Sequence, residues 1–242
     1  MAQKFFKGDL VHVEVKALIL AAAGNLVGAF LSTGVAHTVG KGIIDVNKSN
    51  SGLYVVMAAL LGAITWNLIT WWFGLPSSSS HALIGGLVGA ALIASETVKW
   101  HGVYEKVAIP MILSPLIGIS ASFILVLILQ TIFKSAKRQH VSTPFKVAQT
   151  AAAGAMAVGH GLQDAQKTMG IITLALVIGG LHEGDSIPAW VKVAAAVAIS
   201  LGTYAGGWRI MKTLGHRMIE VDQVKGLAST TVASTVLYVM AI

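Results

Sequence analysis

The sequence predicts an all-α fold, a polytopic bundle of membrane helices in which some helices are broken or re-entrant. Three observations support this prediction. Hydrophobic residues make up 55% of the 242 residues and charged residues only 11%, whereas a soluble domain carries roughly 25% charged residues. Apolar runs of about 20 residues, the length that crosses a bilayer, recur along the chain. Two clusters of polar residues interrupt these runs.

Six long apolar runs define the expected crossings. Residues 1–16 precede them, and Asp9, His12 and Glu14 interrupt the apolar core that a signal peptide needs, so we expect a cytoplasmic lead-in. Crossings are expected at residues 15–39, 52–73, 107–133, 147–180, 188–214 and 222–242, with a shorter apolar stretch at 82–94.

The distribution of basic residues predicts the orientation. If crossings alternate in direction, eleven of the 17 Lys and Arg fall on the side of residues 1–16, 134–146 and 209–225, and five fall on the other. Cytoplasmic loops are enriched in Lys and Arg, so residues 134–146 are expected to form a cytoplasmic linker. Topology therefore explains the net charge of +7, and a lipid bilayer rather than nucleic acid is the expected partner. The chain has no cysteine, which excludes disulfides and thiolate metal sites.

The first polar cluster, residues 74–86, reads GLPSSSSHALIGG. Pro76 disfavours a helix before it, so the preceding helix is expected to end near Phe73 and a new one to start around His81. The hydroxyls that can cap the new helix are those of Ser77, Ser78, Ser79 and Ser80. A helix start carries unpaired N–H groups and a partial positive charge, so this cluster is a candidate anion site. An ordinary interfacial cap is the alternative.

The second polar cluster, residues 159–170, reads GHGLQDAQKTMG and falls inside the predicted crossing at 147–180. Ionisable residues at membrane depth are costly and indicate function. We expect this cluster to interrupt the helix, with Asp164 capping a second half-helix, holding a cation or carrying a coupling proton. Lys167, on the same face, would pair with Asp164 or meet an anion. The alternative is a neutralising Asp–Lys pair that only stabilises the break, although His160, Gln163 and Gln166 add further polar groups.

Both clusters resemble motifs of the inorganic phosphate transporter family (Pit). The stretches that carry the resemblance are GLPSSSSHALIGGLVGAAL, GHGLQDAQKTMGIITLAL and GHRMIEVDQVKGLASTTVAS, and WNLITWWFGLPSSSSH is close to the form typical of bacterial members. The resemblance extends from about Lys16 onward. It implies inverted repeats, with a partial first repeat and a connecting helix in 17–133 and a partial second repeat in 147–242. It also implies symport of inorganic phosphate across the plasma membrane, with no enzymatic activity and no cofactor.

The resemblance further implies residue roles. Phosphate-binding residues would be Ser77, Ser78, Ser79, Ser80, His81, Gln163 and Lys167, and coupling-ion residues would be Asp164 and His160. Gln163 stands where the family usually has asparagine. The ending DAQK is more typical of proton-coupled bacterial members than of sodium-coupled ones, so we expect a proton, with phosphate carried as a neutral metal–phosphate complex. The first and last motif segments are missing, so we expect part of a longer transporter; whether it forms a homodimer is left open.

Two other functions remain open from the residues. A serine hydrolase would use one of the four serines with His81 or His160 as base and Asp164 as orienter. A divalent-metal carrier would use His37, His81, His160 and Asp164 as ligands. Outside the clusters, Asn25 is expected to make hydrogen bonds between helices, and Gly24 and Gly28 are expected to serve close packing.

Overall fold

The computed structural model describes residues 2–31, 42–45, 50–134, 138–184, 186–214 and 223–241. This part of the chain is almost entirely helical, so the all-α prediction is confirmed. The helices are α1 (Ala2–Gly28), α2 (Asn50–Trp72), α3 (Ser79–Ile93), α4 (Trp100–Val103), α5 (Ile109–Ile132), α6 (Arg138–Ile178), α7 (Ala189–Thr213) and α8 (Gln223–Ala241), and a π-helical turn (Tyr104–Ala108) joins α4 to α5. Strands β1 (Ile44–Asp45) and β2 (Thr97–Val98) form a short antiparallel ribbon.

Three segments of the described chain are long and apolar enough to cross a membrane: Ser51–Trp72, Trp100–Ile132 and Ala189–Thr213. Helix α3 is apolar but has only 15 residues. It therefore extends roughly 22 Å, less than the hydrocarbon thickness of about 30 Å. Helix α3 is thus the short helix that the sequence predicts after the serine cluster.

Two segments expected to lie outside the crossings are largely helical. Helix α1 begins at Ala2, so the lead-in belongs to the first helix; it contains no proline that would prevent this. Helix α6 begins at Arg138, so most of the expected linker 134–146 forms its first turns. Residues 32–41, which contain the end of the predicted first crossing, lie outside the described residues.

The predicted interruption at residues 159–170 is wrong, because α6 runs through it as one helix of 41 residues. The proline inside α6, Pro144, lies far from this segment. Asp164 and Lys167 lie one turn apart and pair with each other within the intact helix. Asp164 therefore does not cap a second half-helix. The polar residues interrupt the hydrophobicity of the crossing but leave its backbone continuous.

Small residues bring α1 against α6, as the sequence predicts. A Cβ atom added at Gly24 would lie 2.6 Å from the Cβ of Ala157, and one added at Gly28 would overlap the carbonyl oxygen of Val158. On the facing helix, a Cβ at Gly161 would overlap the backbone of Asn25. The two backbones therefore approach so closely that only glycine fits at these positions.

Helices α2 and α3 form a hairpin whose tip is the serine cluster. At the open end of the hairpin, β1 pairs with β2, and Asp45 lies 3.6 Å from Lys99. At the tip end, Arg209 of α7 donates to the carbonyl of Trp72. A hydrophobic core that includes Ile43, Leu87 and Ile171 joins the ribbon, the hairpin and α6. The chain therefore runs along α2 and returns along α3 in the opposite direction.

Candidate functional site

The turn between α2 and α3 is built by local sequence. Helix α2 ends at Trp72, and Gly74 follows with a φ of 68°, a left-handed conformation that glycine adopts without strain. The N–H of Leu75 donates to the carbonyl of Thr70 at 2.8 Å, which closes the end of the helix. Helix α3 then begins at Ser79. Both boundaries lie within two residues of those predicted from Pro76 and the serines.

The first two serines of the cluster make hydrogen bonds to residues that are close to them in the sequence. The hydroxyl of Ser77 lies 2.9 Å from that of Thr70 and donates to Asn67 Oδ1 at 3.4 Å. Ser78 is the N-cap of α3, and its Oγ accepts from the N–H of His81 at 3.3 Å. The ordinary capping role considered from the sequence therefore applies to Ser78.

The next two serines meet the second polar cluster, 85 or more residues along the chain. Ser79 Oγ donates to Asp164 Oδ2 at 3.2 Å. Lys167 Nζ donates to Ser79 Oγ at 3.2 Å, to Asp164 Oδ1 at 2.7 Å and to Ser80 Oγ. We call Ser79, Ser80, Asp164 and Lys167 the lysine cluster. It joins the start of α3 to the middle of α6 and combines hydroxyl donors, a cation and a carboxylate at one point.

Within the lysine cluster, Lys167 is buried, Asp164 and Ser80 are half-buried, and Ser79 is exposed. Asp164 is 14 residues before Ile178, the end of α6 that packs in the core beside the ribbon. At 1.5 Å per residue this is roughly 20 Å along the helix, compared with a hydrocarbon layer of about 30 Å. The side chain of Lys167 is 10% exposed and that of Asp164 is 25% exposed. The two charges compensate each other where water is scarce.

Two helices add polar groups on the other side of Asp164. His160 Nε2 lies 3.4 Å from Asp164 Oδ2, and His160 Nδ1 lies 3.2 Å from Asn25 Oδ1. Asn25, which is buried in α1, donates from Nδ2 to Thr203 Oγ1 of α7 at 2.7 Å. The expected interhelical hydrogen bonds of Asn25 are therefore present. Sequence reasoning did not connect them to the site, because nothing in the local sequence pairs Asn25 with His160.

A cavity of about 550 Å³ lies beside the lysine cluster, between α3, the π-helical turn, α5, α6 and α8. Its polar lining consists of Ser78, Ser80, His81, Lys106, Ser114, Gln163 and Lys167. Five of the seven residues that the sequence predicts to bind substrate therefore line this one cavity. The described residues that line this cavity do not include Ser77, Ser79, His160 or Asp164. Gln163 additionally donates to the carbonyl of Leu237 at 2.9 Å, which ties α6 to α8.

Lys106 and Ser114 are cavity residues that sequence reasoning missed. Lys106 lies in the π-helical turn, just before the crossing predicted at 107–133, and its positive charge was explained by topology alone. π-helical turns change the direction of side chains and often occur at functional sites. The local sequence around Lys106 gives no indication that its side chain lines a cavity.

The geometry does not favour the serine hydrolase. Ser79 Oγ and His160 Nε2 both approach Asp164 Oδ2, so the carboxylate lies between the hydroxyl and the imidazole. Nucleophilic catalysis requires the imidazole between the hydroxyl and the carboxylate. His81 contacts Ser78 through its backbone N–H.

The residues proposed for a divalent-metal carrier are not brought together as a metal site. Within the part of the chain that the structure describes, no group of three His, Asp or Glu residues is arranged to hold a metal ion. His37 lies outside the described residues.

Apolar helices long enough to cross a membrane, with charges and hydroxyls joined between α3 and α6 beside a cavity, indicate a multi-pass membrane protein. Residues 14–242 match the model of the family described as "Phosphate transporter family". The chain belongs to the phosphate transporter family.

Relatives support this assignment. The chain is 43% identical over 225 residues to a Bacillus subtilis protein named "Probable low-affinity inorganic phosphate transporter", covering 92% of the chain and 67% of the relative. A Mycobacterium leprae protein of the same name is 43% identical over 229 residues, covering 93% of the chain and 55% of that protein. The chain thus spans about half to two thirds of the length of these relatives.

A solved structure has a similar fold. It is named "The sodium-dependent phosphate transporter" and matches with a TM-score of 0.78 at 20% sequence identity, over 93% of this chain and 75% of the other. At this identity the likeness concerns the fold, and it supports a polytopic helix bundle for the chain.

Proposed function

We propose that this chain takes part in symport of inorganic phosphate across the plasma membrane, coupled to a proton. One observation carries the proposal: Lys167 Nζ is held by Asp164 and by the hydroxyls of Ser79 and Ser80 at the first turn of α3. A cation, hydroxyl donors and a helix N-terminus converge there, and each of these groups favours an oxyanion.

Phosphate would be bound by the groups that face the cavity. Lys167 and Ser80 line it and offer an ammonium and a hydroxyl, and the first N–H groups of α3 have no partner within the helix. His81 and Gln163 line the same cavity as candidate contacts. Lys106 adds a second cation to the lining of the cavity, which favours entry of an anion. Ser77 belongs to a separate hydrogen-bond group with Thr70 and is a weaker candidate for contact.

Coupling would follow from competition for donors. Asp164 accepts from Ser79 and from Lys167, which are also the donors that a phosphate at this point needs. Two anions close together repel each other, so a cation bound at Asp164 would favour phosphate binding beside it. His160, at 3.4 Å from Asp164, offers a second basic atom for a proton. Sodium at the Asp164 carboxylate is the alternative, supported by the name of the structurally similar transporter.

The proposal includes the arrangement of the chain in the membrane. Residues 134–146 and 209–225 would lie on the cytoplasmic side, and residues 17–133 and 147–242 would belong to two inverted repeats. The position of Arg209 beside Trp72, and of Lys99 beside Asp45 at the other end, supports the alternation on which the orientation depends.

Uptake of radiolabelled phosphate into proteoliposomes containing the 242-residue chain tests the proposal. Proton and sodium gradients are imposed separately, each with and without Mg²⁺. We expect a proton gradient to drive uptake in the wild type and in the control Lys192→Met, whose lysine lies at the start of α7, and not in Lys167→Met. A requirement for Mg²⁺ would indicate a metal–phosphate complex as cargo.

Three results would contradict the proposal. Uptake driven by sodium alone would show that the coupling ion is wrong. Equal uptake by Lys167→Met and the wild type would remove the lysine cluster from the transport site, and no uptake by the correctly inserted wild-type chain would show that these residues do not carry transport by themselves.

A further inference from the structure

A chain of hydrogen bonds runs from α7 to His160, which lies beside Asp164. Thr203 Oγ1 donates to the carbonyl of Ile199 at 2.8 Å. Asn25 Nδ2 donates to Thr203 Oγ1 at 2.7 Å, and Asn25 Oδ1 lies 3.2 Å from His160 Nδ1. His160 Nε2 then lies 3.4 Å from Asp164 Oδ2. Three helices, α7, α1 and α6, thus contribute to one continuous path.

With the Thr203 hydroxyl donating to Ile199, the donors and acceptors along this path fit one arrangement. A threonine hydroxyl has a single proton, and Thr203 gives it to Ile199, so Thr203 can only accept from Asn25. The group that Asn25 turns toward Thr203 is therefore its NH₂, and the group turned toward His160 is its carbonyl oxygen. A carbonyl oxygen accepts, so His160 Nδ1 must carry a proton.

This arrangement leaves an unprotonated nitrogen beside Asp164. When His160 is neutral and Nδ1 is protonated, Nε2 has no proton. Nε2 then lies 3.4 Å from a carboxylate oxygen, and the negative charge of that carboxylate favours uptake of a proton by the imidazole. The other neutral tautomer, with its proton on Nε2, would satisfy Asp164 without any proton uptake.

We propose that Asn25 and Thr203 are positioning residues that hold neutral His160 in the Nδ1–H tautomer, so that a proton is taken up at Nε2 beside Asp164. The inference rests on the proposed function, since it assigns the coupling proton to this pair. Uptake converts the imidazole to imidazolium and adds one positive charge, and release returns the lone pair. The imidazolium gives Asp164 Oδ2 a positively charged partner in addition to the Ser79 hydroxyl.

Few charged groups surround His160 in the part of the chain that the structure describes. On its own helix, Asp164 faces Nε2, and Lys167 lies on the other oxygen of that carboxylate. Helices α1 and α7 present the neutral Asn25 and Thr203. Helix α8 brings Tyr238 against the preceding turn, where its hydroxyl donates to the carbonyl of Ala155. Half of the His160 side chain is exposed, 51%, so protons can exchange at the ring.

Two substitutions at Thr203 test the inference, because this residue contacts neither Asp164 nor the lysine cluster. Thr203→Val keeps the side-chain shape but removes the hydroxyl, which leaves the Asn25 amide free to turn. Thr203→Ser retains the hydroxyl and serves as the matched control. The full chain is reconstituted in lipid with ¹⁵N-labelled histidine, and the His160 signals are assigned by comparison with His160→Gln.

The first readout is the tautomer of His160 in nitrogen NMR spectra, recorded at a pH where the ring is neutral. We expect the Nδ1–H form in the wild type and in Thr203→Ser, and a large population of the Nε2–H form in Thr203→Val. The Nε2–H form in the wild type, or an unchanged tautomer in Thr203→Val, would overturn the inference. This readout does not depend on phosphate transport, so it can fail or succeed independently of the proposed function.

The second readout is the pH profile of phosphate uptake. Thr203→Val is expected to need a lower external pH for half-maximal proton-driven uptake, because its Nε2 no longer offers a lone pair to the proton. Thr203→Ser is expected to follow the wild-type profile. A profile in Thr203→Val that coincides with the wild type would show that the tautomer has no part in coupling, and a uniform loss of uptake at every pH would show a merely structural role.

Discussion

Lys167 Nζ lies 2.7 Å from Asp164 Oδ1, one turn along α6, and the same ammonium group reaches Ser79 and Ser80 on α3. A charge buried in this way is tolerated because its counter-charge is beside it, and removing one partner of a buried pair typically costs about 3–5 kcal/mol. The pair therefore has a structural role and a proposed transport role, which substitutions can separate.

The first prediction concerns this pair. Asp164→Asn and Lys167→Met are each expected to lower the thermal unfolding temperature of the chain in detergent, because each leaves an uncompensated charge. The double variant Asp164→Asn/Lys167→Met is expected to recover most of the lost stability and still to lack gradient-driven uptake. Unfolding temperatures and proteoliposome uptake are measured on all four proteins. Additive losses of stability in the double variant would contradict the pairing, and normal accumulation by Asp164→Asn would remove Asp164 from the coupling role.

The second prediction separates the serines. Ser80→Ala is expected to raise the KM for phosphate about tenfold, because a hydrogen bond between charged and neutral groups contributes about 1.5 kcal/mol. Ser77→Ala is expected to leave KM unchanged, because its hydroxyl is bound to Thr70 and Asn67 away from the cavity. KM is measured from initial uptake rates. The same rise in both variants would mean that the serine turn acts as one unit, contrary to the division of roles described above.

The third prediction concerns the contact between α1 and α6. Gly161→Ala is expected to lower the free energy of unfolding by about 1–3 kcal/mol, because the new Cβ overlaps the backbone of Asn25 and the helices must separate. Gly118→Ala on α5 is the control, since a Cβ there meets no atom within 4 Å. Alanine is the better helix former, so the control should be neutral or slightly more stable. Equal stability of the two variants in denaturant titrations would show that α1 does not pack on α6 this closely.

The fourth prediction tests Lys106 as a cavity cation. Lys106→Met is expected to raise KM and to weaken the dependence of uptake on ionic strength, because the second positive charge of the cavity is lost. Lys106→Arg should retain most of the wild-type behaviour. Lys99→Met, which removes a lysine at the ribbon beside Asp45, is the control. A salt dependence identical in Lys106→Met and the wild type would exclude an electrostatic role for Lys106.

Features set by short stretches of sequence were predictable. Pro76 and the serines located the end of α2 and the start of α3, because capping and the restriction before proline act over a few residues. For a similar reason, three of the six hydrophobic runs coincide with segments of the described chain that are long and apolar enough to cross a membrane. The sequence also indicated that Asp164 and Lys167 are candidate functional residues, because placing a charge at membrane depth costs free energy whatever its neighbours.

Features that depend on distant partners were not predictable. The cost of burying Asp164 is visible in the sequence, but its partner Ser79 lies 85 residues away and became apparent only in the fold. Without that partner, a break in α6 was the plausible means of satisfying the polar groups, and the structure uses contacts between helices instead. The position of Lys106 depends on a π-helical turn that could not be predicted from the local sequence.

The continuity of α6 links the serine turn to the core beside the ribbon. The same helix carries Lys167, whose ammonium contacts Ser80 at the start of α3, and Ile171, one turn further on, which belongs to the same core cluster as Leu87 in the middle of α3. A rotation of α6 that withdraws the ammonium from Ser80 must also shift these apolar contacts. Loosening of the serine turn and loosening of the core beside the ribbon would therefore occur in one movement of α6.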